Sequence, residues 1–208
     1  LPGGCPLGAR PVDLHRMALT AMGAEIILHE EKLSCRAAKL RPARIVLPFP
    51  SVGATENALL AATACEGTVV IENAAMEPEV TDLAGFLRSA GAEISGAGTR
   101  CLTVCGGKPL HGTTYTILPD RIETATYLCA AAACGGDVTL RRTDAATLRP
   151  VIDTLCAAGC HIGKGHNELR ILASEKLSAP GKIVTAPYPG FPTDAQAILM
   201  AALLRAQG

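Results

Sequence analysis

The chain has 208 residues, 19 Lys+Arg against 19 Asp+Glu, a formal net charge of zero, 49% hydrophobic residues, 3% aromatic and no Trp. Zero net charge without basic runs, and so few rings for stacking, argue against a nucleic-acid binder; no uninterrupted apolar run of about 18 residues is present to span a membrane, since the longest candidate, residues 58–71, is cut by Glu66. The length suits one or two domains, the nine scattered cysteines fit reduced thiols in a cytoplasmic protein better than a disulfide framework, and no basic segment followed by an apolar one marks a signal peptide.

The first residues, Leu1-Pro2-Gly3-Gly4-Cys5-Pro6-Leu7-Gly8-Ala9-Arg10-Pro11-Val12-Asp13, read as a Gly- and Pro-rich loop around one thiol. An amphipathic helix is predicted over 12–21, ended by Gly23 as the left-handed residue that a helix C-terminus favours, with a short strand after it. A strand over 45–47 and the loop Ser51-Val52-Gly53 lead into an Ala-rich helix over 55–65 and a strand over 68–72. The succession then returns: helix 80–89 before Gly91, strand 115–118, loop Pro119-Asp120-Arg121, Ala-rich helix 124–134 and strand 137–141. A third pass gives helix 148–157 before Gly159, strand 183–185, the loop 187–192 and an Ala-rich helix over 193–205. Gly23, Gly91 and Gly159 lie 68 residues apart, each in a similar string such as Ala90-Gly91-Ala92-Glu93-Ile94. That period is too long for a solenoid and fits an α/β unit used several times, each with two helices and one or two extra strands. Counting back one period from strand 68–72 puts its counterpart before Leu1, and the chain stops where a further strand is due. A piece of a longer protein is therefore expected, as the absence of an initial Met also suggests.

Four helix entrances carry the candidate chemistry. Cys5 sits among glycines that let a backbone approach a ligand, beside Arg10 and a helix N-terminus, whose positive potential favours a thiolate and binds anions; the alternative is a packing cysteine. Ser51, Val52 and Gly53 open a helix where a phosphate can be held, or where Ser51 is an ordinary cap. Asp120 and Glu123 read as acids that cap and offset a helix dipole. Asp194 follows a stiff loop with three prolines and is either a general base for a hydroxyl or a first-turn acid behind a Thr193 cap. Cys101 and Cys105 are expected on one face of a strand, and Cys156 and Cys160 one turn apart on a helix; neither pair has the spacing of a zinc site, and no metal is expected. The five histidines are dispersed, so a cysteine hydrolase lacks its base, and neither a Walker loop nor a dinucleotide fingerprint is present.

Five strings together resemble one family. Pro2-Gly3-Gly4-Cys5 with Gly8-Ala9-Arg10-Pro11-Val12-Asp13-Leu14-His15 is similar to the active-site loop of the UDP-N-acetylglucosamine enolpyruvyl transferases. Ser51-Val52-Gly53-Ala54-Thr55-Glu56-Asn57, the run from Ile71 to Glu79, the run from Leu118 to Thr124, and Pro189-Gly190-Phe191-Pro192-Thr193-Asp194 extend the likeness nearly end to end. The resemblance implies transfer of enolpyruvyl from phosphoenolpyruvate to the 3-hydroxyl of UDP-N-acetylglucosamine with release of phosphate. That is the first committed step of peptidoglycan synthesis, hence of cell-wall biogenesis, cell shape and division, in the bacterial cytoplasm.

The family fold is an inside-out α/β barrel of repeated βαβαββ units in two domains, here expected to be incomplete at both ends. Residues 1–118 are expected to be part of the UDP-sugar-binding domain with the cysteine loop, and residues 119–208 part of the second domain with the aspartate. The resemblance makes Cys5 the acid towards the methylene carbon of phosphoenolpyruvate and the target of fosfomycin. It gives Arg10 a phosphate contact, puts Pro11, Val12, Asp13 and Leu14 along the uridine site, sets Ser51, Val52 and Gly53 against the diphosphate, and makes Asp194 the base for the sugar hydroxyl. Asp120, Arg121 and Glu123 are implied to organise the domain junction. Only the two small-molecule substrates are expected as partners, with no cofactor, nucleic acid or membrane. Phe49 stands where that family often has a Lys, and Pro6-Leu7 is a second departure. The alternatives are a relative that acts on shikimate 3-phosphate, which lacks such a cysteine loop, and a non-catalytic fragment; the isolated chain is expected to be inactive, since closure around the substrates needs groups from segments outside it.

Overall fold

A computed structural model describes residues 11–29 and 32–208. It divides into two units, Leu1–Ile117 and Leu118–Gly208.

In the first unit, α1 (Asp13–Ala21) is followed by the antiparallel hairpin β1 (Glu25–His29) and β2 (Lys32–Arg36). Next come β3 (Ala43–Val46), α2 (Val52–Thr63), β4 (Gly67–Glu72), α3 (Pro78–Ser89), β5 (Glu93–Ser95) and β6 (Cys101–Gly106), one complete βαβαββ unit. Its four strands lie in the order β3-β4-β6-β5. β3 and β4 are parallel, with α2 as the crossover that such a pair requires, and β6 runs antiparallel between β4 and β5. Register puts Ile45 beside Ile71, Ile71 beside Leu102, and Val69 beside Val104. All five are buried on one face, against Ala18 of α1, Ala58, Leu59 and Ala62 of α2, and Val80, Ala84 and Leu87 of α3. Alanines let these helices approach closely, and the apolar alternation of β4 and β6 supplies the surface they cover.

The second unit contains α4 (Arg121–Cys134), β7 (Asp137–Arg141), a 3-10 turn at Ala145–Leu148, α5 (Arg149–Ala157), β8 (His161–Gly165) and β9 (Glu168–Leu172). A short β10 (Leu177–Ser178), a 3-10 turn at Thr193–Ala195, α6 (Gln196–Leu203) and β11 (Ala206–Gln207) complete it. The sheet order β7-β9-β8 is antiparallel throughout and reproduces β4-β6-β5. Leu169 and Ile171 are buried under Ala125, Leu128 and Ala132 of α4 and Val151, Ile152 and Leu155 of α5.

The repeat is built into the backbone. α1, α3 and α5 end alike, on Gly23, Gly91 and Gly159 with φ of 91°, 102° and 102°. In each, the glycine N–H donates three residues back: to Thr20 at 2.9 Å, Arg88 at 3.0 Å and Cys156 at 3.0 Å. The next N–H reaches five back: Ala24 to Leu19 at 3.0 Å, Ala92 to Leu87 at 2.9 Å and Cys160 to Leu155 at 3.0 Å. This is the double-bonded helix ending that a left-handed glycine permits, used three times.

Several expectations are corrected. Residues 115–118 form no strand; they adjoin the boundary between the units, and a strand needs a neighbouring ladder as well as apolar alternation. The strand expected over 183–185 shrinks to one bridge, Thr185 with Phe191. α2 and α4 each begin three residues before the expected 55 and 124, because Ser51 and Asp120 cap them. The helix expected over 193–205 splits into a 3-10 turn and α6, with β11 taking up Ala206. Cys160 is not on a helix with Cys156, since Gly159 has already ended α5.

Candidate functional site

The first unit draws two of the sequence-predicted segments together. Pro11, Val12, Asp13 and Leu14 form the entrance of α1, and Ser51, Val52 and Gly53 the entrance of α2. His15 of α1 meets α2 at two positions: Nδ2 of Asn57 lies 2.6 Å from Nδ1 of His15. A Cβ built on Gly53 would lie 3.0 Å from Cε1 of the same ring. Sequence reasoning passed over His15 and Asn57 as site residues. The available signal was that Asn57 closes the Ser51–Asn57 string and His15 closes the Cys5 string.

Ser51 is a cap, its Oγ accepting from the N–H of Ala54 at 3.4 Å. Val12, at the start of α1, makes no side-chain capping bond, although Asp13 adds a carboxylate in the first turn. The first turns of α1 and α2 are thus adjacent through His15 and Gly53, and helix N-termini present N–H groups to anions.

The loop after β4 supports α2 from beneath. Thr55 is fully buried, and its hydroxyl accepts from the N–H of Ala75 at 3.0 Å while donating to the carbonyl of Ser51 at 2.8 Å. Asn73, at φ 53°, donates to the carbonyl of Leu47 at 2.8 Å and accepts from Arg100 at 3.0 Å. The Ile71–Glu79 string is therefore scaffold for the helix entrance. Nearby, burial pushes the Glu56 carboxyl above its ordinary range, and Glu79 and Glu77 add to the shift.

In the second unit, Asp120 caps α4 through Oδ1, which accepts from Ile122 at 2.7 Å and Glu123 at 3.0 Å. Arg121 is only 6% exposed, and its guanidinium lies 5.9 Å from the ring centre of Tyr188. That contact ties the entrance of α4 to the Pro-rich loop. The loop is closed by Gly190 N–H to Pro187 O at 2.8 Å and Ala186 N–H to Phe191 O at 3.0 Å, and it buries Phe191. Asp194 is exposed within the turn that follows, and no side-chain cap, by Thr193 or otherwise, is formed there.

Phe49 is 56% exposed, just before the α2 entrance. Cys5 and Arg10 lie outside the described residues, as does the Pro6-Leu7 departure. Among the described residues, no three His, Cys, Asp or Glu side chains converge as a metal site would require, and no helix is long and apolar enough to cross a membrane.

Against known proteins, a family description reading EPSP synthase (3-phosphoshikimate 1-carboxyvinyltransferase) matches residues 1–208. The chain is 46% identical over 207 residues to UDP-N-acetylglucosamine 1-carboxyvinyltransferase 2 of Caldanaerobacter subterraneus subsp. tengcongensis, covering 100% of this chain and 50% of that protein. It is 47% identical over 211 residues to UDP-N-acetylglucosamine 1-carboxyvinyltransferase of Finegoldia magna, with the same coverage. The chain spans about half the length of the curated relatives it matches. Among solved structures, the enolpyruvyl transferase NikO of Streptomyces tendae superposes with a TM-score of 0.83 at 24% identity, over 96% of this chain and 50% of that one. The fold is accordingly the α/β fold of the enolpyruvyl transferases.

Proposed function

The chain belongs to the EPSP synthase (3-phosphoshikimate 1-carboxyvinyltransferase) family, and on that premise we propose that the polypeptide containing it transfers enolpyruvyl from phosphoenolpyruvate to the 3-hydroxyl of UDP-N-acetylglucosamine. The observation that carries this reading is the end-to-end identity of 46% and 47% to two relatives bearing that name. Phosphate is the second product. The product is a precursor of peptidoglycan, so the reaction belongs to bacterial cell-wall growth and division, and the scattered thiols favour the cytoplasm.

In this reading residues 1–118 contribute to the nucleotide-sugar domain and residues 119–208 to the second domain. The uridine lies along Pro11, Val12, Asp13 and Leu14. The diphosphate meets Ser51, Val52 and Gly53 at the entrance of α2, where N–H groups and the helix dipole favour negative charge. Arg10 neutralises phosphate. Asp194 takes the proton of the 3-hydroxyl as its oxygen attacks C2 of phosphoenolpyruvate, and Cys5 delivers a proton to the methylene carbon. Phosphate then leaves and the enol double bond re-forms as the methyl group gives up a proton. The exposure of Asp194 at the end of a stiff loop supports its role as a base that meets substrate. Asp120, Arg121 and Glu123 serve the architecture of α4.

The test uses the full-length polypeptide that carries this chain. Phosphate release should require both substrates, and fosfomycin should alkylate Cys5, with labelling abolished in Cys5→Ser. Labelling at another cysteine would count against Cys5 as the site residue; release of phosphate with shikimate 3-phosphate in place of the nucleotide sugar would refute the reading and favour the sister activity. The 208-residue chain alone is expected to show no turnover, because closure around the substrates draws on groups outside it.

A further inference from the structure

His15 has no part in the chemistry above, yet its placement is specific. It lies in the first turn of α1, directly after Leu14, while Asn57 lies in the second turn of α2. The 2.6 Å contact runs between Nδ2 of Asn57 and Nδ1 of His15. An amide nitrogen has only protons to offer, so Nδ1 accepts and the ring is the Nε2–H tautomer. The adjoining Cε1–Nε2 edge of the ring covers Gly53, where a Cβ would lie 3.0 Å from Cε1 and 3.4 Å from Nε2. One imidazole therefore touches α2 at residues 53 and 57, four apart and so on one helix face.

We propose that His15 is a positioning residue for the nucleotide sugar: it holds the Pro11–Leu14 segment in register with the Ser51–Gly53 entrance, Asn57 fixes its tautomer, and Gly53 provides the space for its ring. The inference rests on the proposed function and adds to it the group that sets the distance between the two halves of the sugar-nucleotide subsite. A ligand with a uridine at one helix entrance and a diphosphate at the other is sensitive to that distance. Such a misplacement weakens ground-state and transition-state binding together, so it shows in KM more than in kcat.

Steady-state kinetics on the full-length polypeptide test this. Gly53→Ala should raise the KM for UDP-N-acetylglucosamine by about tenfold, as overpacking against the ring would. The double substitution Gly53→Ala with His15→Ala should recover part of that loss, because the collision is gone. Asn57→Leu should also raise that KM, whereas Asn57→Asp, which keeps a hydrogen bond by accepting from the Nδ1–H tautomer, should retain more affinity than Asn57→Leu. A histidine that only packs would change the melting temperature and leave these KM relations flat. An unchanged KM in Asn57→Leu, or a double variant no better than Gly53→Ala, would overturn the inference and leave the proposed function standing. Absence of wild-type turnover with the nucleotide sugar would overturn the function itself and this inference with it.

Discussion

The hydroxyl of Tyr115 donates to Oδ1 of Asp82 at 2.9 Å, over a stretch of α3 where Gly85 leaves room for it: a Cβ there would lie 2.6 Å from the hydroxyl oxygen. The Tyr115 ring also packs edge-on to Phe86 with centroids 5.7 Å apart. Burial, then the hydrogen bond and charge of Asp82, raise the phenol above its ordinary range. Tyr115→Phe should therefore cost about 1 kcal/mol in urea denaturation, and Gly85→Ala should cost more by expelling the ring. Because the folded-state pKa is raised, the stabilisation is present below the unfolded pKa of the phenol and is lost as pH rises through the folded one. A Tyr115→Phe variant as stable as wild type at neutral pH would disprove the contribution of the bond.

Glu56 gives the opposite kind of pH dependence from a paired carboxylate. Its pKa is raised, first by burial and then by Glu79 and Glu77. The folded state thus favours the protonated form, and the stability it allows is fully present below the unfolded carboxylate pKa and falls as pH rises through the folded one. Glu56→Gln should melt higher than wild type at neutral pH, with the gap closing in mildly acidic buffer. A gap that widens on acidification would contradict the sign.

Thr55 is fully buried and bridges the N–H of Ala75 to the carbonyl of Ser51. Thr55→Val keeps the shape and removes the hydroxyl, leaving the Ala75 N–H buried without that acceptor. A loss of about 1–3 kcal/mol is expected, read as a lower denaturation midpoint with an unchanged m-value. Faster hydrogen exchange at the Ala75 amide should accompany it.

The side-chain caps of α2 and α4 should differ in strength. Asp120 accepts two N–H groups, at 2.7 and 3.0 Å. Ser51 accepts one, at 3.4 Å. Asp120→Ala should cost about 1 kcal/mol or somewhat more, and Ser51→Ala less. Thermal denaturation of both variants checks the ranking, which an equal loss would break.

What could be read along the chain was whatever the backbone decides locally. The three glycine endings and the strands after Cys65-Glu66-Gly67 and Cys134-Gly135-Gly136 stand where the sequence places them, and the Ala-rich helices are present with shifted starts. Expectations failed where an element depends on a partner. Tyr115 and Ile117 have the residue types of a strand, but Tyr115 instead spends its ring on Phe86 and its hydroxyl on Asp82. Ile183 and Val184 likewise look like strand, but only Thr185 finds a bridge. At the site, the roles of Ser51 and Asp120 as caps followed from the residue types, while His15 looked like one of several dispersed histidines.

The sequence by itself determined the 68-residue period, the helix endings and the strings that carry the family likeness, because these rest on φ preferences, caps and residue identity at short range. Only the tertiary structure decided which strings meet. His15 and Asn57 are 42 residues apart, and Thr55 and Ala75 are 20 apart. Their contacts exist because α1, α2 and the loop after β4 pack on one sheet face, and packing between distant segments leaves no periodic trace in either one.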